Sequence, residues 1–262
     1  MAPAGAADPR RPPLLFVHGA FAGGQCWATH LMPACAAAGW RSHAFSLRGH
    51  GASPGDVVRD NYGLDAYLDD LVDEIDRLDR PPVLVGHSMG GWLAMRAATE
   101  CAVAGLVLMC PVPPFGLASA NLSLAVWNPL LAARIGRVFA HGDAAVDPSV
   151  MRETLFAGAL PPGMAEQEWA TQAAESLRAG IELQHPPRFD LAPLRGLPRL
   201  VLGAERDALI PPPFVHATAG LLEAEAEILP GLGHGLMLDH GWQIVADRLL
   251  GWLANPDNGL DG

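Results

Sequence analysis

The stretch VLVGHSMGGWLAM, Val83 to Met95, sets one serine among three glycines, between an apolar run and a segment of helical composition. Glycine admits backbone turns that side chains forbid. Ser88 can therefore occupy a sharp, strained turn, with Gly86 and Gly90 at its flanks and Gly91 where the following helix must pack closely. A serine hydroxyl is a weak nucleophile; it needs a base within hydrogen-bond reach and an acid to orient that base. Three further stretches follow apolar runs and carry suitable groups: HGAFAGG from His18, LGAERDALIP from Leu202 and LPGLGHGLMLD from Leu229. Their common chemistry would be attack of serine on an acyl carbon, followed by release of the acyl group to water.

Gly-x-Ser-x-Gly between a strand and a helix resembles the nucleophile elbow of the α/β-hydrolase superfamily, serine-nucleophile branch, and the likeness runs from Leu14 to Leu253. The resemblance implies a triad in the chain order serine, acid, histidine, the last two each from a loop after a later strand. Asp207 then matches the acid and His234 the base, with Glu205 as the rival acid. It also implies an oxyanion hole of two backbone N–H groups, from Met89 after the nucleophile and from Ala20 after His-Gly, with Phe21 as the fallback donor. SLRGHGAS, Ser46 to Ser53, resembles a second family signature, although most members carry an acid where this chain has Ser46. Arg48 and His50 are read as braces behind the nucleophile, and His18 and His87 as buried hydrogen-bonding histidines. Asp239 and His240 are expected to cap a helix and be solvated. Some members hold their acid after the preceding strand, but here that place is CPVPP, Cys110 to Pro114, which closes the alternative.

The elements that must position these residues are legible as apolar runs alternating with periodic segments. Strands are expected over 14–19, 40–49, 82–88, 104–112, 197–207 and 224–231, and helices over 25–39, 64–79, 89–101, 213–222 and 241–253. Non-alternating runs such as VLVG and LVLM suit strands buried on both faces of a parallel sheet. The expected fold class is α/β: the α/β-hydrolase fold, a mostly parallel sheet of six or more strands flanked by helices. A helical cap is expected at 113–193, inserted after the sixth family strand, with patches at 121–139, 147–158 and 164–182. The core is then 14–112 and 194–254, with flexible ends at 1–13 and 255–262. Trp127, Met151, Phe156, Met164 and Trp169 could line a pocket under the cap or form the cap's own core, with equal weight. Phe21, Trp27 and Trp92 could wall the pocket below.

The chain has 262 residues, half of them apolar and 17% charged, which is a globular composition. Its net charge of −11 disfavours nucleic acid and anionic membranes as partners. Cys26, Cys35, Cys101 and Cys110 show no CxxC spacing, so no metal site, cofactor or disulfide is expected. No apolar run reaches membrane length and the first residues lack a signal-peptide core, so a soluble, cytoplasmic protein is expected, as monomer or homodimer.

HGAFAGGQCW resembles the opening of small esterases, including the methylesterase and hydroxynitrile lyase-like group. The resemblance implies a serine hydrolase of a small to medium carboxylic ester, working through an acyl-enzyme on Ser88. The same triad also serves acyl transfer or cyclisation, and thioester, lactone or carbon–carbon hydrolysis. A slow-turnover ligand receptor is the alternative from another class. Cyanohydrin lysis would use a lysine near the site, and the chain contains none.

Overall fold

The computed structural model describes residue 8 and residues 10–141, 148–158 and 175–260. Six strands form one all-parallel sheet: β1 (Leu14–Val17), β2 (Ser42–Ala44), β3 (Val83–His87), β4 (Gly105–Met109), β5 (Arg199–Ala204) and β6 (Ala226–Leu229). Their spatial order is β2-β1-β3-β4-β5-β6. Every residue of β1, β3 and β4 is buried, which explains why these strands read as unbroken apolar runs. Successive side chains point to opposite faces. Leu14 and Phe16 join one core cluster, and Leu15 and Val17 the other.

On the first face lie α1 (Leu31–Ala37) and α10 (Trp242–Leu253), through residues such as Leu31, Cys35, Val245 and Leu249. On the second lie α3 (Leu64–Asp76), α4 (Met89–Ala97) and α9 (Pro212–Leu221), through Leu64, Tyr67, Leu71, Leu93 and Val215. A one-turn helix α2 (Val57–Asp60) precedes α3. Between β4 and β5 the described chain is helical: α5 (Ala118–Trp127), α6 (Pro129–His141), α7 (Pro148–Leu155) and α8 (Leu177–Glu182).

Two elements depart from the expected spans for local reasons. The helix expected over 25–39 is a 3-10 turn at Gly24–Trp27 followed by α1, whose first turn holds Pro33, where no intrahelical N–H is needed. The patch at 121–139 is two helices, because Pro129 cannot continue α5 and Asn128 Oδ1 restarts the chain by accepting the Leu131 N–H at 3.1 Å. The strand expected over 40–49 is only β2, and the following loop is held by side chains. The 164–182 patch lies outside the described residues except for α8.

The chain runs from β1 outward to β2 and returns to β3 on the other side of β1. The carboxyl ends of β1 and β3 therefore diverge, and this is where open parallel sheets bind ligands. All four cysteines are free thiols, and Cys26, Cys35 and Cys110 are buried. No helix among the described residues is long and apolar enough to cross a membrane.

Candidate active site

β3 ends at His87 and α4 begins at Met89, so Ser88 alone turns the chain. Its backbone stands at φ 53° and ψ −119°, which residues with side chains rarely adopt. A Cβ on Gly86 would lie 2.4 Å from the Gly90 carbonyl oxygen, and one on Gly90 would lie 2.4 Å from the carbonyl oxygens of Val17 and His18. The turn closes only with glycine at both places. It is held by the Ser88 N–H, which donates to the Met109 carbonyl at 3.0 Å, and by the Ser88 carbonyl, which accepts from Gly91 and Val112.

Asp207 follows β5 and His234 follows β6, as parallel topology requires for loops that meet at one sheet edge. His234 Nδ1–H donates to Asp207 Oδ2 at 2.7 Å. Asp207 Oδ1 accepts the N–H groups of Leu209 and Ile210, each at 2.8 Å, so the carboxylate is fixed from behind. With Nδ1 directed at Asp207, Nε2 is the ring nitrogen left to face another partner. The rival Glu205 is exposed and accepts the Gly231 N–H at 2.8 Å.

The neighbouring histidines act on backbone. His87 Nε2–H donates to the His234 carbonyl at 2.9 Å, tying the loop after β6 to the end of β3. His18 Nδ1–H donates to the Gly19 carbonyl and its Nε2 accepts the Leu47 N–H. Burial, followed by nearby positive charge on His50, pushes the pKa of His18 down to about 3. Burial and the neighbouring His234 likewise hold His87 well below the ordinary histidine range. Arg48 clasps Asp70 through its backbone N–H, Nε and Nη2, bracing the loop after β2. The Ser46 hydroxyl accepts the Gly24 N–H at 3.0 Å.

The Ala20 and Met89 N–H groups have no partner among the described residues, whereas the Phe21 N–H donates to Glu175 Oε2 at 3.3 Å. Ala20, Phe21, Ser88 and His234 line one cavity of about 470 Å³. Its remaining wall is largely apolar: Leu117, Leu124, Ile135, Val138, Val150 and Ile181 from the inserted helices, and Leu209, Ile210 and Met237 from the core. The polar side chains in that wall are engaged: Asn121 donates to Gln184, and the Thr154 hydroxyl donates to the Val150 carbonyl. No hydrogen bond joins Ser88 to His234 among the described residues, a common state before substrate tightens the site.

Among the described aromatic residues expected at the pocket, only Phe21 lines this cavity. Trp27 is fully buried in the core against Phe16, where a large ring finds more contact than at a pocket wall. Trp92 is buried behind α4, edge-on to Phe189. Trp127 is 84% exposed at the end of α5. Phe156 packs within the core, with its ring 3.1 Å from the place of a Cβ on Gly235. Trp169, Met164 and the Met151 side chain lie outside the described residues.

Three residues of the site were missed or misread from sequence. Asp239 is fully buried: Oδ2 accepts the N–H groups of Gly233 and Ala157, and Oδ1 accepts from His240. Burial opposes its charge, but these bonds hold its carboxyl below the ordinary range. The expectation of a solvated cap therefore fails for Asp239, which fastens the loop after β6 to the segment after α7, whereas His240 is exposed. Cys110, fully buried at the end of β4, brings its sulfur within 4.8 Å of the Asp207 and His234 ligand atoms, and burial and then Asp207 hold its thiol protonated. Glu175 had no sequence signal beyond preceding Ser176, whose hydroxyl caps α8.

The fold is similar to several solved structures. A bromoperoxidase from Bacillus anthracis aligns with a TM-score of 0.71 at 20% identity, covering 95% of this chain and 94% of that one. An esterase from Exiguobacterium antarcticum aligns with a TM-score of 0.70 at 21% identity, covering 95% and 93%. A thermophilic esterase from Thermogutta terrifontis aligns with a TM-score of 0.68 at 21% identity, covering 95% and 90%. Among curated proteins none matches. The family model described as the alpha/beta hydrolase family matches residues 14–248, and the chain belongs to that family.

Proposed function

We propose that the protein is a serine hydrolase of small to medium carboxylic esters with an apolar acyl group. The observation that carries this reading is the 2.7 Å His234–Asp207 pair opening on the same cavity as the strained Ser88. Ser88 Oγ attacks the ester carbonyl while His234 Nε2 takes its proton, and Asp207 stabilises the imidazolium. The N–H groups of Ala20 and Met89 donate to the developing oxyanion, with the amino terminus of α4 adding its partial positive charge. His234 then protonates the departing alcohol and activates water, which releases the acid and restores Ser88. The apolar wall favours a hydrocarbon acyl chain, whose burial is worth about 0.8 kcal/mol per methylene. Two structural relatives carry the word esterase in their names, which accords with this chemistry on the shared fold.

Turnover of p-nitrophenyl esters from acetate to laurate, by wild type and Ser88→Ala side by side, tests the reading. Wild type should cleave the short and medium members, and the variant should lose on the order of 10⁴-fold or more in kcat. Equal rates in the two proteins, or no cleavage across the series, would overturn it.

A further inference from the structure

An ionised carboxylate inside a protein is costly unless charge and hydrogen bonds compensate it. Glu175, where the inserted segment returns to the core just ahead of α8, has a wholly unexposed side chain with four donors. Oε1 accepts the Tyr67 hydroxyl at 2.8 Å and the Ser176 N–H at 2.7 Å. Oε2 accepts His50 Nε2–H at 3.1 Å and the Phe21 N–H at 3.3 Å. The other ring nitrogen of His50 faces the Arg48 carbonyl at 3.2 Å. Both ring nitrogens thus face acceptors, which makes His50 an imidazolium paired with Glu175. The electrostatics agree: burial opposes charge on each, yet the partner raises the pKa of His50 and lowers that of Glu175.

This pair stands against a strained turn. Phe21 has φ 59°, a region that bulky residues avoid, and its N–H is the group that Glu175 accepts. The adjacent Ala20 N–H has no partner among the described residues, and Ala20 lines the cavity beside Ser88. Relaxing Phe21 to negative φ would rotate the Ala20–Phe21 peptide, and a carbonyl oxygen turned towards the oxyanion would repel it.

We propose that Glu175 is a positioning residue for the oxyanion hole: it holds the Ala20–Phe21 turn so that the Ala20 N–H stays available to the oxyanion, and His50 neutralises its charge there. The inserted segment, through Glu175, then helps to complete the reaction centre as well as to enclose it. This rests on the Ser88 hydrolase reading above.

The test uses the full-length chain as wild type, Ser88→Ala, Glu175→Gln, Glu175→Ala and His50→Gln. Active sites are titrated with a p-nitrophenyl phosphonate, and folding is checked by thermal melting. On p-nitrophenyl butyrate, kcat per titrated site should fall at least tenfold in Glu175→Gln and further in Glu175→Ala, with KM within about threefold. The Ki of an alkyl trifluoromethyl ketone, which presents an oxyanion once Ser88 adds to it, should rise in parallel. His50→Gln, which leaves the carboxylate uncompensated, should lower kcat in the same manner. A crystal structure of Glu175→Gln, or of Glu175→Ala if it folds, should show Phe21 at negative φ, a readout that needs no activity. Folded Glu175 variants with kcat and ketone Ki within twofold of wild type, or with Phe21 unchanged, would overturn the proposal. Loss of the Ser88 reading itself would appear separately, as wild type matching Ser88→Ala.

Discussion

At the residue scale, what the sequence exposes most clearly is strain. Ser88 needs a turn that only flanking glycines permit, and such a pattern survives in one dimension because the residues are contiguous. Asp207 and His234 are legible for a related reason: each follows an apolar run, and parallel strands deliver their carboxyl ends to one edge. Replacing Asp207 by Asn leaves the shape but permits the wrong His234 tautomer, so kcat should drop by roughly 10³ to 10⁴ with KM little changed. A kcat within tenfold of wild type in steady-state assays would remove Asp207 from the triad. Glu175 and Asp239 were not legible, because their meaning lies in partners far along the chain: His50 is 125 positions from Glu175, and Ala157 is 82 from Asp239. Nothing in local spacing separates a buried carboxylate with four donors from a solvated one.

At the element scale, the strands and most helices follow their apolar periods, and the exceptions lie where side chains replace regular structure. The loop after β2 is organised by Arg48–Asp70, Ser46–Gly24 and His18–Leu47 bonds rather than by a ladder, so a strand pattern overstates its length. The inserted helices read as amphipathic patches, but α5 (ASANLSLAVW) is so evenly apolar that its sequence does not single out the face that meets the cavity. Leu124 lines the cavity while Trp127, three residues on, is exposed. Leu124→Trp should therefore shift the preferred p-nitrophenyl ester to a shorter chain, and Trp127→Ser should leave the chain-length profile unchanged and stability within about 0.5 kcal/mol. A profile that moves with Trp127 and ignores Leu124 would reverse this assignment of the helix faces. Gly90→Ala places a methyl against two backbone carbonyls that cannot yield, and the loss should be about 3 kcal/mol or more, read from urea midpoints.

At the scale of the whole molecule, buried titratable groups set a definite pH dependence of stability. His18 and His87 stay neutral in the fold but bind protons when unfolded, so their contribution is present above about pH 6.5 and declines as pH falls. Glu175 and Asp239, both depressed, lose theirs further down, as pH passes their folded values. His50 has the opposite sign: its pairing contributes fully below its unfolded value and fades as pH rises through the raised folded value. The melting temperature should therefore be highest near neutrality and fall steadily from pH 6.5 to 4; a flat or rising profile on acidification would contradict the burial of neutral histidines. The fold class was readable because every layer agrees, from strand burial to glycine placement to the order of the site residues. The cavity's chemistry was not, because it is made by helices whose facing is decided in three dimensions. The most direct measurement of the central claim is the intact mass of the protein after exposure to a p-nitrophenyl phosphonate, followed by peptide mapping. One phosphonyl group on Ser88, with none on Ser88→Ala and greatly slowed addition in His234→Ala, is the predicted result. Labelling elsewhere, or none at all, would contradict the assignment of Ser88 as an activated nucleophile.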